Sequence, residues 1–121
     1  MTSRRGKSAI VGVGEIPTGR YPDQGAISFA LDAARAAIAD AGIDKDEIDC
    51  VIPTTAVFSF QFSNELSTGR LVEELGLKNV TVNVNAFSGG SSSTNALRIA
   101  GALIETGRVR TVLFVHCDKL G

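Results

Sequence analysis

Short apolar runs of strand character alternate with helical patterns along the whole chain, and this alternation limits the fold more than any other feature. The strand-like runs are SAIVGVG (8–14), DCVIPTT (49–55), NVTVNVNAF (79–87) and RTVLFVHCD (110–118). Between them lie AISFALDAARAAIADAG (26–42), NELSTGRLVEELGL (64–77) and STNALRIAGALIETG (93–107). The order β-α-β-α-β-α-β predicts an α/β layered domain with a largely parallel sheet, because parallel neighbours need a crossover and a helix supplies one. With 121 residues the chain is read as a single domain, 1–121, able to bury one core.

Individual elements follow from local pattern. The first run is short, apolar and ends in glycines, which suits a strand buried on both faces. In the first helix Ile27, Ala30, Leu31, Ala34, Ile38 and Ala41 fall on one face, and Gly42 fits the left-handed residue after the last turn. DKDEI reads as a charged turn, and the second strand is expected to stop at Pro53. Phe58, Phe60 and Phe62 alternate as in a strand, while Ser59, Gln61 and Ser63 suit a loop that lines a pocket or docks a partner. Both readings stay open there. Asn64 is the candidate N-cap of the second helix and Gly76 its terminator. The third helix, ending at Gly107, carries Ala96, Leu97, Ile99, Ala100, Ala102, Leu103 and Ile104 around much of its circumference. Such a helix is expected to be buried on most sides, and a chain that stops just after a strand predicts a further element.

Charge and cysteine usage exclude several classes of function. A net charge of −1 leaves no electrostatic footprint for nucleic acid or an acidic membrane surface. No apolar stretch approaches membrane-spanning length. RRGK near the start reads as part of a solvated tail over 1–7, and without a long apolar region behind it no signal peptide is expected. Cys50 and Cys117 lie in or beside apolar runs without metal-ligand spacing, as reduced thiols of a cytoplasmic protein do.

Three stretches bear on chemistry. GVGEIP after the first run lacks the third glycine of a dinucleotide fingerprint, with Pro17 in its place and no helix opening there. His116 has Cys117 and Asp118 as neighbours, but successive strand residues face opposite ways, so these form no local triad. A structural hydrogen bond at the strand end is the expected role of His116. SGGSSST (88–94) stands at a strand-to-helix junction. It is either a tight turn with Ser91, Ser92 or Ser93 as helix cap, or a cradle in which backbone N–H groups at the helix start hold an oxyanion or thioester.

The motifs AIVGVGEIPTGRYPD, AARAAIADAGIDKDEIDCVI, LVEELGL and NALRIAGALIETGRVRTVLFV, in this order and spacing, resemble the N-terminal half of the thiolase superfamily. The resemblance is especially to its sterol-carrier-protein-type members and runs from about Lys7 to the last residue. It implies a thiolase half whose third helix is buried between two such halves, acting on acyl-CoA with no cofactor beyond the CoA thioester substrate. In true thiolases a nucleophilic cysteine opens that helix. Aligned without a gap back from GALIETG, its position falls on Gly90; set on SGG it falls on Ala86, and neither is a thiol. The site that the resemblance leaves is therefore Gly89, Gly90, Ser91 and Ser92, binding substrate without a covalent intermediate. Thiolase-like retro-aldolases carry glycine at this position and work with a DUF35-type OB-fold partner, so carbon–carbon cleavage in lipid metabolism is implied. Ordinary thiolase-type acyltransfer and a non-catalytic lipid or acyl-CoA-binding module are the alternatives. The family also pairs the third strand, 80–86 here, across the two-fold axis of a homodimer.

Overall fold

The computed structural model of the chain describes residues 7–54, 69–86 and 91–117. A helix α1 (Ala26–Ala41) and a 3-10 turn (Lys45–Glu47) precede strand β1 (Cys50–Thr54), helix α2 (Arg70–Leu75), strand β2 (Val82–Asn83), helix α3 (Ser92–Glu105) and strand β3 (Val112–His116). The three strands are parallel in the order β2-β1-β3. The α/β class and the parallel sheet predicted from the alternation are both present.

β1 is the centre of the sheet, and all five of its residues are buried. Alternate residues serve opposite faces. Val51, with Leu113 and Val115 of β3, packs with Ala30 and Ala34 of α1 and Leu71 and Leu75 of α2. Cys50 and Ile52 face the other way, onto Ala96 and Ala100 of α3, with Ala86 and Val109. Alanine at the contacts of α1 and α3 lets those two helix axes approach the sheet closely.

Pro53 does not end β1; it pairs with Val115, and the strand continues to Thr54. The ladder explains the tolerance. Even-numbered residues of β1 bond towards β3, as Cys50 N–H does to the Thr111 carbonyl, while the carbonyl of Val51 accepts from Val84 on the β2 side. The missing N–H of Pro53 thus faces β2, whose pairing has already ended at Asn83.

The expected strand over 8–14 is absent. Ile10, Val11 and Val13 are 72%, 65% and 70% exposed, and the segment lies against α1 instead of in the sheet. Its glycines explain the seat: a β-carbon on Gly12 would come within 2.6 Å of the Ala37 carbonyl oxygen, and one on Gly14 would run into the Ala37 nitrogen. The N–H of Val13 finds the Asp40 carboxylate at 2.9 Å, a partner that replaces a strand ladder. Apolar content alone predicts a buried strand here, and the glycines that let the backbone touch a helix override it.

Helix ends follow the sequence more closely. Gly42 is left-handed (φ 67°), and its N–H bonds the carbonyls of Ile38 and Ala39. Gly76 (φ 66°) ends α2, and Gly69 stands just before its first residue; Asn64 lies outside the described residues, as do 55–63. The charged turn is held by a capping box: the Asp44 carboxylate accepts from Asp46 N–H, and Glu47 accepts from Asp44 N–H. On α3 the fully buried stripe is Ser92, Ala96 and Ala100. Ile99, Leu103 and Ile104 are partly buried against the sheet of this same chain, and Leu97 is 47% exposed. The helix is thus covered on one side and open on another. No described helix is long and apolar enough to cross a membrane.

Candidate functional site

β2, α3 and β3 form a parallel crossover, so α3 runs opposite to the strands. Its C-terminal part packs with Val109 and Val112, at the edge where β3 begins. Its first residues therefore lie at the other edge, where the strands end. Open α/β sheets bind ligands at that edge.

Three polar side chains belong to this edge and to the face that α3 covers. Ser92 is fully buried and lies in phase with Ala96 and Ala100. Thr54 and His116 share the parity of Cys50, Ile52, Val112 and Phe114, whose side chains line the same face. Thr54 Oγ1 and His116 Nδ1 are 2.8 Å apart across adjacent strands. His116 thus makes the strand-end hydrogen bond expected of it. Sequence reasoning misses Thr54, although it carries the only hydroxyl among the five residues of β1.

Of the predicted cradle, Gly89 and Gly90 lie outside the described residues. Ser91, one of the three serines offered as the helix cap, occupies the N-cap position of α3 (φ −96°, ψ 9°), and its side chain makes no capping hydrogen bond. Its near-helical backbone differs from the extended conformation in which a serine cap reaches the next turn. Ser92 is the first residue inside the helix, buried against the sheet.

Both thiols are outside this site. Cys50 begins β1, at the opposite edge, and its side chain is buried. Burial, assisted by the neighbouring Asp49 carboxylate, pushes its pKa from 9.0 up to about 11, so it is a protonated thiol and a poor nucleophile at neutral pH. Cys117 follows β3 but packs against the cluster on the α1 face, away from α3. Neither cysteine is in a disulfide. Among the described residues no group of three His, Cys, Asp or Glu side chains could hold a metal ion.

With this geometry in hand, likeness to known proteins defines the class. No family model matches the chain. It is 34% identical over 93 residues to beta-ketoacyl-(acyl-carrier-protein) synthase III of Rickettsia massiliae, which covers 76% of this chain and 28% of the relative. Among solved structures, the acetyl-CoA acetyltransferase of Syntrophomonas wolfei superposes with a TM-score of 0.73 at 28% identity, covering 87% of this chain and 27% of that one. The Ltp2-ChsH2(DUF35) aldolase gives the same TM-score of 0.73 at 24% identity over 88% of this chain and 26% of that one, a likeness of fold alone. The chain has the thiolase-like fold and is homologous to the synthase III and thiolase-like proteins. It spans 25–29% of the length of the curated relatives that it matches first.

Proposed function

We propose that the chain is the N-terminal part of a thiolase-like enzyme that processes acyl-CoA without forming an acyl-enzyme. The observation that carries this reading is the position of the two thiols. One is buried at the far edge of the sheet with a raised pKa, and the other packs on the opposite face. Gly90, or Ala86 in the other alignment, stands where true thiolases carry their cysteine, and neither supplies a nucleophile. Residues 88–92 then serve as a cradle: Gly89 and Gly90 admit the thioester, and N–H groups at the start of α3, where Ser91 and Ser92 stand, are its donors to the carbonyl oxygen. Such donors favour an oxygen that gains negative charge.

Carbon–carbon cleavage by a retro-aldol route fits this chemistry. A base removes the proton of a β-hydroxyl, the bond between the α and β carbons breaks, and its electron pair passes into the thioester as an enolate. The cradle stabilises that enolate, and no enzyme-bound acyl group is required. The CoA thioester is the substrate and no separate cofactor takes part. A DUF35-type OB-fold partner is proposed because a structural neighbour is such an aldolase complex. A homodimer is proposed through 80–86. Ordinary acyltransfer is the second reading, favoured by the synthase and acetyltransferase likenesses.

Intact mass after incubation with acetyl-CoA tests the proposal. The mass should not change, whether the chain is alone or joined to the remainder of a thiolase-length protein. An acetyl adduct mapping to 88–93 would make the enzyme a serine acyltransferase and overturn the cradle.

A further inference from the structure

Thr54 ends β1, His116 ends β3, and the two are register partners. Thr54 is 2% exposed, whereas His116 is exposed. A hydroxyl carries one proton, and a buried O–H without an acceptor is costly. Among the described residues, the acceptor within reach of Thr54 Oγ1 is Nδ1 of His116, at 2.8 Å. Were the proton on Nδ1, the ring would donate to Oγ1 and leave the Thr54 proton with no acceptor among the described residues. With the proton on Nε2, the hydroxyl donates to Nδ1 and both groups are satisfied.

We infer that Thr54 holds His116 as the Nε2–H tautomer, and that Nε2–H is a further donor for the thioester carbonyl oxygen of an acyl-CoA bound at the strand ends. The inference rests on the proposed function for its ligand. The pair shares its face and its edge with the start of α3. A carbonyl oxygen received there meets the helix N–H groups from one element and the imidazole N–H from another. Thr54 is then a positioning residue acting through the ring. A neutral N–H suits the task, because it can donate to an oxygen that gains charge without first surrendering a proton to it.

His116 is the chain's only histidine, so its ring nitrogens are read without ambiguity. In the full chain labelled with 15N-histidine, above the pH range in which histidine titrates, Nδ1 should show the shift of a bare nitrogen and Nε2 that of a protonated one. Thr54→Val should move both shifts towards the mixture found in free imidazole. Acetyl-CoA should shift Nε2. His116→Ala should weaken acetyl-CoA binding about fivefold, the loss of one neutral hydrogen bond, and His116→Gln, which keeps a donor, should restore most of it. The wild-type measurement stands even if the Thr54 variant does not fold. An Nδ1–H tautomer in the wild type overturns the inference. So does acetyl-CoA that shifts amides of 91–96 and leaves Nε2 unmoved, with the proposed function intact. Acetyl-CoA that shifts no resonance of the chain overturns both.

Discussion

Asp49 and Thr111 hold each other reciprocally: the N–H of Asp49 donates to the Thr111 carbonyl at 3.1 Å, and the Asp49 carboxylate accepts the N–H of Thr111 at 3.0 Å. The same carboxylate takes the Arg110 N–H, and the Asp49 carbonyl accepts from Thr81. One residue thereby ties the starts of all three strands, opposite the edge where the candidate site lies. Asp49→Ala should lower stability by about 1–2 kcal/mol, a few charge-assisted bonds made partly in solvent. Urea unfolding checks this, with the shift expected in the midpoint and little change in slope.

Gly14 makes the contact that seats the 8–14 segment on α1. Gly14→Ala has no room for its methyl group against Ala37, so the segment must lift or α1 must shift, at a cost of about 1–3 kcal/mol. Gly19→Ala is the control, since its added carbon meets nothing closer than 3.6 Å and its φ is not positive. Thermal unfolding should separate the two by several degrees. Equal melting temperatures would show that 8–14 does not rest on α1.

The fold class is legible in the sequence because parallel sheets need crossovers, and each helical run carries small or apolar residues at the positions that meet the sheet. Gly42 and Gly76 are legible as terminators because the left-handed residue after a helix favours glycine. The 8–14 segment is not, because apolar content alone cannot tell a buried strand from an extended segment whose glycines lie on a helix. Thr54 is invisible for another reason. Its partner is 62 residues away, and only the register of β1 against β3 brings the two side chains together.

Cys50 makes stability depend on alkaline pH. Its folded pKa is raised to about 11 from 9.0, so the thiol favours the folded state while it stays protonated. As pH rises past the unfolded value the unfolded chain ionises first, and the stabilisation falls away until the folded thiol also titrates. Urea midpoints should therefore fall between about pH 9 and pH 11 in the wild type, and fall less in Cys50→Ala. In thiol labelling at neutral pH, Cys117 should react first and Cys50 only on unfolding.

β2 is an edge strand among the described residues, pairing with β1 alone. Val82, Val84 and Ala86 turn inward while Thr81, Asn83 and Asn85 are exposed, so the backbone edge carries no charge to repel another strand. Light scattering should find a dimer. Charging the edge with Asn83→Lys and Asn85→Lys should shift it towards monomer without loss of helical signal. A wild-type monomer at high concentration would remove 80–86 as the interface.

Gly90→Cys tests the proposed chemistry most directly. A thiol at the start of a helix is ionised more readily, because the unpaired N–H groups of the first turn favour the thiolate. The gap-free alignment gives position 90 that place in front of α3. The variant, joined to the remainder of a thiolase-length protein, should gain an acetyl group from acetyl-CoA, read as a mass increase that hydroxylamine reverses. Cys50 and Cys117 are controls within the same molecule, since Cys50 is buried at the opposite end of β1 and Cys117 packs on the α1 face, and both should stay unmodified. Acylation of the introduced thiol alone would locate the thioester over this turn and leave the nucleophile as what the wild type lacks. A variant that stays unacylated while its new thiol reacts freely with small alkylating reagents would place the thioester elsewhere, and the glycine-for-cysteine reading would fall with it.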